Sequence, residues 1–142
     1  MIYKFLAGLF ICSVILICSI NQITLASSVS SNSKDSGSEI IEYLRLNVPV
    51  KEKEAWILSE SESWGPWLEK KDGFLGRQLL WDEQREEAIL LISWASRYQW
   101  KSIPKEEIDD VQDLFEQLAR DKTGKKSGNP FPIKSQGELL PQ

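Results

Sequence analysis

The chain contains no histidine, and its two cysteines, Cys12 and Cys18, both lie close to the N-terminus. Histidine is the usual general base near neutral pH, the commonest metal ligand and the usual proximal ligand of haem. Cysteine would otherwise supply a disulfide, a nucleophile or a soft metal ligand. The sequence after Cys18 therefore indicates a domain without disulfides, and we expect it to hold neither a metal nor a cofactor.

Positive charge is also scarce. The chain carries 17 Lys and Arg against 21 Asp and Glu, a formal net charge of −4. Binding to nucleic acid depends on basic residues that neutralise phosphates, so this composition argues against a nucleic-acid partner. The one basic cluster, Lys122 to Lys126, is typical of a helix C-terminus followed by a solvated loop.

The N-terminal segment has the pattern of a secretory signal. Lys4 is followed by an apolar run from Phe5 to Ile20, and small residues fit a cleavage site after Ala26. We expect residues 1–26 to be a signal peptide and the domain to be exported, to the periplasm or outside the cell. The alternative is an uncleaved membrane anchor over residues 5–26, because this segment approaches the roughly 20 residues of a membrane span.

Two regions follow the signal. Residues 27–38 are rich in serine and almost free of apolar side chains, which predicts a flexible linker. Residues 39–142 have the length of one compact domain with a single core. Apolar and polar residues alternate from Glu39 to Val48, so this segment is predicted to be the first strand, ended by Pro49.

After Pro49 the apolar spacing changes to that of a helix. The predicted buried stripe comprises Val50, Ile57, Ser61, Trp64 and Leu68. Charged residues, among them Glu60, are predicted to cover the opposite, solvated face. Pro66 lacks an amide hydrogen and crowds the carbonyl of Glu62, so the helix is predicted to kink or restart at Gly65-Pro66.

Two more strands follow this helix. Phe74 to Trp81 is predicted as the second strand, and a polar hairpin loop leads to the third, Glu87 to Trp94. The third strand is apolar at every position from Ala88 to Ile92, which is typical of a strand covered on both faces. It is therefore expected at the centre of the sheet.

The C-terminal part is predicted to be helical and then extended. Ser96 is expected to cap a short helix, and Pro104 to open a longer one that ends at Gly124. The buried stripe predicted for the longer helix comprises Ile108, Val111, Phe115 and Leu118. The segment from Pro130 to Leu140 is predicted as an edge strand, because proline cannot donate a hydrogen bond to a neighbouring strand.

The order strand, helix, strand, strand, helix, strand favours an α+β fold, the ferredoxin-like sandwich with an antiparallel sheet. Its first and third strands are central, and both helices cover one face. The apolar side chains of the other face need a second cover. We expect a homodimer, in which the sheets of two copies form an α/β barrel.

Three segments carry a resemblance to known proteins. They are Trp64-Gly-Pro-Trp, Asp72-Gly-Phe-Leu-Gly and Trp94-Ala-Ser-Arg-Tyr-Gln-Trp-Lys-Ser-Ile-Pro. Together they resemble the dimeric α/β-barrel superfamily that includes the antibiotic-biosynthesis monooxygenases, and within it a family of small bacterial proteins of uncharacterised function. The resemblance implies a pocket between sheet and helices. Trp94 resembles a pocket tryptophan of related haem-degrading proteins, whose helical histidine has no counterpart here.

Two functions that involve a ligand or a partner are compatible with the sequence, besides a purely structural role. One is a cofactor-independent monooxygenase that acts on an aromatic or quinol-type compound. Its candidate pocket residues are Trp64, Trp94, Asn47, Arg77 and Tyr43. The numerous acidic residues are expected on exposed helix faces, so no carboxylate pair is indicated as an acid and base. For Trp64 and Trp94, packing in the core is the competing interpretation.

The other function is binding without catalysis. The domain would hold an apolar or aromatic small molecule, or contact an envelope protein through exposed faces of Trp56, Trp67 or Trp100, since aromatic residues are favoured interface anchors. A structural dimer without a ligand is the third alternative. The absence of histidine and cysteine favours binding over redox-metal chemistry.

Overall fold

The computed structural model describes residues 37–142. The predicted signal segment and nearly all of the predicted linker lie outside these residues. In the part of the chain that the structure describes, no helix is both long and apolar enough to cross a membrane.

Four strands and four α-helices make up the domain. They are β1 (Ile40–Asn47), α1 (Lys53–Glu62), α2 (Trp64–Leu68), β2 (Phe74–Asp82), β3 (Glu87–Trp94), α3 (Arg97–Lys101), α4 (Lys105–Thr123) and β4 (Ile133–Leu139). A short 3-10 turn, Val50–Glu52, precedes α1. All strand pairs are antiparallel, and the sheet order is β2-β3-β1-β4. The predicted α+β ferredoxin-like fold, with the first and third strands central, is confirmed.

The ends of the elements follow local chemistry as expected. The Ser96 hydroxyl accepts a hydrogen bond from the Gln99 amide and caps α3. Gly124 closes α4 in the left-handed conformation, with φ of 73°, where glycine carries no steric penalty. The strand after Pro132 lies at the sheet edge, as the prolines predict.

The helix between the first two strands is broken, as Pro66 predicts, although the break lies at Ser63, two residues before Gly65. α1 ends at Glu62, and Ser63 adopts φ −123° and ψ −86° before α2 begins. The Ser63 hydroxyl donates to the Ser59 carbonyl oxygen at 2.6 Å, so that this carbonyl keeps a partner at the break.

The predicted buried stripe of this helix is wrong in part. Val50 is 55% exposed and Ser61 is exposed, whereas the buried residues of α1 include Trp56 and Glu60. Val50 lies in the 3-10 turn ahead of α1 and so outside the periodicity of that helix. Within α1 the buried face is formed by Trp56, Ser59 and Glu60, one residue before the face that the apolar spacing predicts. Glu60, predicted on the solvated face, faces the interior.

The longer helix keeps most of its predicted stripe. Val111 and Phe115 are buried with Ala119, while Ile108 is 36% exposed and Leu118 is half-buried. The stripe therefore runs as i, i+4, i+8 along α4, which is the spacing of one helix face.

The buried apolar residues form two clusters at opposite ends of the sheet. We call the first the packed end; it comprises Leu46, Val48, Trp56, Ala88, Leu90, Phe115, Ala119 and Phe131. We call the second the cavity end; it comprises Ile40, Leu68, Ile92 and Trp94. The pairing of Ile40 with Trp94, and of Leu46 with Ala88, places the clusters at the two ends of the central strands.

The other face of the sheet carries the residues that alternate with the core. Tyr43 and Leu91 are paired neighbours there, and both stay partly exposed. Leu80 and Leu139 are each 45% exposed. Within residues 37–142, β3 is thus well buried only on the face that the helices cover. That a second copy of the domain covers the other face stays a prediction.

Candidate functional site

A cavity of about 310 Å³ lies between the sheet and the helices, mainly at the cavity end. Four tryptophans line it, Trp64 and Trp67 from α2, Trp94 from β3 and Trp100 from α3. Aliphatic side chains of the two central strands line it from the sheet; they are Leu44, Leu46, Leu90 and Ile92. The volume falls within the range of roughly 300–1,000 Å³ that small-molecule pockets occupy.

The helix break positions two of these rings. Trp64 and Trp67 are three residues apart in α2, so both belong to one side of the short helix. Their ring centroids lie 5.3 Å apart and their planes meet at 87°, an edge-to-face contact. A continuous helix would change the direction of both side chains, and Pro66 therefore contributes to the shape of the cavity wall.

Trp94 serves both the core and the cavity wall. It is 1% exposed and packs edge-to-face against Phe74, with centroids 5.9 Å apart. Its indole Nε1 donates to Glu42 Oε2 at 3.3 Å. Glu42 also lines the cavity, and burial raises its pKa although the Trp94 hydrogen bond and the charge of Lys101 oppose that shift.

Glu60 is the carboxylate that sequence reasoning missed. It is 2% exposed, lines the cavity from α1, and accepts a hydrogen bond from Arg77 Nη1 to its Oε2 at 2.8 Å. Burial raises the pKa of Glu60 to about 7, and the charge and hydrogen bond of Arg77 only partly offset this. One signal was present in the sequence, since Glu60 precedes Trp64 by four residues and so belongs to the same helix side.

Gly65 lets the Arg77 guanidinium reach Glu60. A Cβ at position 65 would lie 2.6 Å from Arg77 Nη2, closer than real Cβ atoms approach a neighbour. Gly65 is also buried. The segment Trp64-Gly65-Pro66-Trp67 thus supplies two rings of the wall, the helix break and the space for the partner of Glu60.

The structure brings together only some of the residues proposed from the sequence. Trp64 and Trp94 line the cavity. Arg77 is not a lining residue but forms an ion pair with Glu60, which is one. The side chain of Arg77 is 17% exposed. Tyr43 and Asn47 alternate with the cavity-lining residues of β1 and therefore belong to the opposite face of the sheet.

The tryptophans proposed as exposed anchors behave differently from one another. Trp56 is 1% exposed within the packed end, so its prediction as a surface anchor is wrong; the shifted phase of α1 directs it inward. Trp67 and Trp100 are half-buried at the cavity. Among residues 37–142, no group of three or more His, Cys, Asp or Glu side chains is arranged to hold a metal ion.

No protein-family model matches the chain, and neither does any curated protein sequence. Solved structures do match. SnoaB of Streptomyces nogalater, a cofactor-independent oxygenase, is 10% identical, with 74% of this chain and 94% of that one covered and a TM-score of 0.48. A putative monooxygenase of Shewanella loihica is 16% identical, with 75% and 96% covered and a TM-score of 0.49.

A third similar structure is the ActVA-Orf6 monooxygenase of Streptomyces coelicolor in complex with nanaomycin D. It is 13% identical, with 75% of this chain and 88% of that one covered and a TM-score of 0.48. These neighbours are of the monooxygenase group that the sequence motifs resemble. At such identities the likeness concerns the fold alone, and membership of the superfamily and of any family within it stays a prediction.

Proposed function

We propose that the domain binds a planar, largely apolar or aromatic small molecule in the cavity at the cavity end. The observation that carries this proposal is the arrangement of four tryptophans around about 310 Å³ of space. Rings that only filled a core would pack to native density and leave few voids larger than a water molecule. An apolar wall with a few polar groups is the usual design of a small-molecule site.

Catalysis is the second candidate, as a cofactor-independent monooxygenase acting on an aromatic or quinol-type compound. One observation favours it over simple binding, namely that the carboxyl group of Glu60 lines the cavity beside Arg77 and is 2% exposed, a burial that raises its pKa to about 7. Carboxyl groups with such shifted pKa values concentrate at sites of acid and base chemistry, although structural ion pairs also shift pKa values.

Binding can be tested with 4-nitroanisole, a neutral planar aromatic compound, by isothermal titration calorimetry on the purified protein. We expect saturable binding that Trp64→Leu weakens about tenfold or more, because the substitution removes one wall of the cavity. Trp81→Leu is the matched control, since Trp81 packs against the packed end and is not a lining residue. Absence of binding, or equal losses in both variants, would contradict the proposal.

We also propose that the protein is exported and forms a homodimer through the face of the sheet opposite the helices. The export rests on the N-terminal sequence pattern. The dimer rests on the partly exposed apolar residues of that face, such as Leu80 and Leu139, which a second copy would cover.

Native mass spectrometry of the protein isolated from its own membranes and soluble envelope fraction tests these points together. A dimer that begins at Ser27 and carries an added small-molecule mass is the expected result. A dimer without a ligand would favour a structural role or an envelope partner. A monomer would contradict the proposed barrel, and an intact N-terminus would identify the segment over residues 5–26 as an anchor.

A further inference from the structure

Glu60 is the most buried acidic side chain of the described residues, and its position is unusual for a structural ion pair. A buried carboxylate is costly unless a charged partner and hydrogen bonds compensate it. Arg77 supplies that compensation at one oxygen, Oε2, with 2.8 Å between the atoms. Glu60 nevertheless lines the cavity, which leaves Oε1 as the oxygen that a bound ligand can approach.

The position of Arg77 is set by the backbone as well as by charge. Its guanidinium lies where Gly65 has no side chain, and even a methyl group there would displace it. The ion pair holds Glu60 Oε2 at 2.8 Å from Arg77 Nη1, and this charge-assisted hydrogen bond favours one orientation of the carboxylate.

Other charged groups face the same cavity from different elements. Glu42 on β1 is held by the Trp94 indole and lies near Lys101. Asp109 on α4 also lines the cavity and forms an exposed ion pair with Lys105. Glu60 differs from both, since it is almost fully buried and its cation comes from β2 beneath the helix break.

We propose that Glu60 accepts a proton from an acidic O–H or N–H group on the aromatic ligand, with Arg77 as its positioning residue. The ligand O–H bond breaks, a bond forms between that hydrogen and Glu60 Oε1, and the electron pair stays on the ligand oxygen. The reverse transfer precedes release. This inference rests on the proposed function, because it requires that the cavity bind a ligand.

The acidity of Glu60 suits this role. Burial raises its pKa to about 7, so the carboxylate and the acid are both populated near neutral pH. A group with a pKa near the working pH combines a useful fraction of the basic form with a useful proton affinity. At the ordinary carboxyl pKa, the same side chain would be a much weaker base.

The test compares 4-nitrophenol with 4-nitroanisole, which carries a methoxy group in place of the hydroxyl. We expect the wild-type protein at neutral pH to bind 4-nitrophenol about tenfold or more tightly than 4-nitroanisole, the gain of one charge-assisted hydrogen bond. Free 4-nitrophenol is itself partly ionised at neutral pH, so its bound and free spectra are compared at the same pH. A stronger phenolate band in the bound state reports proton transfer.

Glu60→Gln should abolish both the preference and the excess of the visible band over that of free 4-nitrophenol, so that the variant binds the two compounds with equal affinity. Glu62→Gln is the matched control, because Glu62 lies on the same helix, is exposed and pairs with Lys122. Circular dichroism establishes that each variant is folded. Arg77→Met should move the onset of the preference to higher pH, and Arg77→Lys should restore part of that shift.

The outcomes separate the inference from the function on which it rests. Equal affinity of the wild-type protein for the two compounds would overturn the role of Glu60 and leave the binding function standing. The same holds if the preference persists in Glu60→Gln. Failure of both compounds to bind would overturn the proposed function and this inference together.

Discussion

The two ends of the sheet use large aromatic side chains in opposite ways. At the packed end, Trp56, Phe115 and Phe131 are fully buried, and the centroids of the two phenylalanine rings lie 6.2 Å apart. At the cavity end, the tryptophans surround space instead of filling it. The difference arises in the backbone, since α1 lies over the packed end as a regular helix while the break at Ser63 redirects α2.

The two ends of the sheet also differ in the polar and charged side chains that they bury. The cavity end has Glu60 with Arg77, and Glu42 with the Trp94 indole, both facing enclosed space. Such groups lower the stability that the same volume of apolar packing would give. The packed end therefore contributes most of the apolar packing that stabilises this small domain. The cavity end instead accommodates buried carboxyl groups, which a close-packed apolar core would exclude.

Truncating a tryptophan at each end gives the largest expected difference. Trp56→Ala should lower the free energy of unfolding by about 3–5 kcal/mol, because it leaves a void in the packed end. Trp64→Ala should cost less, about 1–2 kcal/mol, since its ring already borders the cavity. Urea denaturation of both variants measures the two values. Equal losses would show that the cavity end is packed as tightly as the other.

Charge at the cavity end is tested by Glu60→Gln. The pKa of Glu60 is about 7 in the folded protein against an ordinary 4.5. The folded protein therefore keeps a proton that the unfolded chain releases, and stability falls by about 3 kcal/mol as pH rises from about 4.5 to 7. The raised pKa of Glu42 acts in the same direction.

Glu60→Gln should remove that loss, so the variant gains stability relative to wild type as pH rises through this window. Urea denaturation at a series of pH values follows the difference, with Glu62→Gln as the control. Stability curves that run parallel for wild type and Glu60→Gln would mean that Glu60 titrates like an exposed carboxyl group.

Gly65→Ala should have a smaller effect on stability and a clear effect on acidity. The new Cβ would lie 2.6 Å from Arg77 Nη2 and 3.3 Å from the Glu60 carbonyl oxygen, so the guanidinium must move, while alanine is the better helix residue. We expect a net cost of about 1–2 kcal/mol. Without its guanidinium, the pKa of Glu60 should rise further. Carbon-13 NMR titration of the Glu60 carboxyl measures this. Gly137→Ala, at a position with open space, should leave it unchanged.

The smallest effects are expected at surface lysines, where substitutions at the two ends should cost similar amounts of stability. Lys53 lies 4.5 Å from the Trp81 ring centroid and Lys71 lies 4.2 Å from that of Trp67. Lys53→Met and Lys71→Met should each cost less than about 1 kcal/mol, as thermal unfolding would measure. A much larger cost for Lys71→Met would indicate that the cavity rim depends on its charge.

The order of strands and helices was predictable because its signals are local. The apolar run of β3 and the prolines before β4 fix which strands are central and which lie at the edge. The break near Pro66 and the cap at Ser96 depend on single residues and their neighbours. Each of these features is set by a few consecutive side chains, which a sequence displays directly.

The site was less predictable because it depends on distant partners. Burial of Glu60 requires Arg77, 17 residues further along the chain and on a different element. The buried face of α1 includes Ser59 and Glu60, whose polar side chains give no apolar signal in the sequence. Tryptophans that enclose space and tryptophans that fill it have the same pattern in sequence. The sequence therefore does not distinguish Trp64, which lines the cavity, from Trp56, which is buried in the packed end.

The exposure of β4 has a consequence for how a ligand would enter. Every residue of β4 is exposed, and its backbone pairs with β1 alone. Elements with little buried surface separate from a fold at lower free energy than its core does. Ile133 and Gln136 of β4 belong to the cavity wall. We therefore expect the last strand to separate from β1 at lower free energy than the central strands separate from each other, and such a separation would open the cavity on the β4 side.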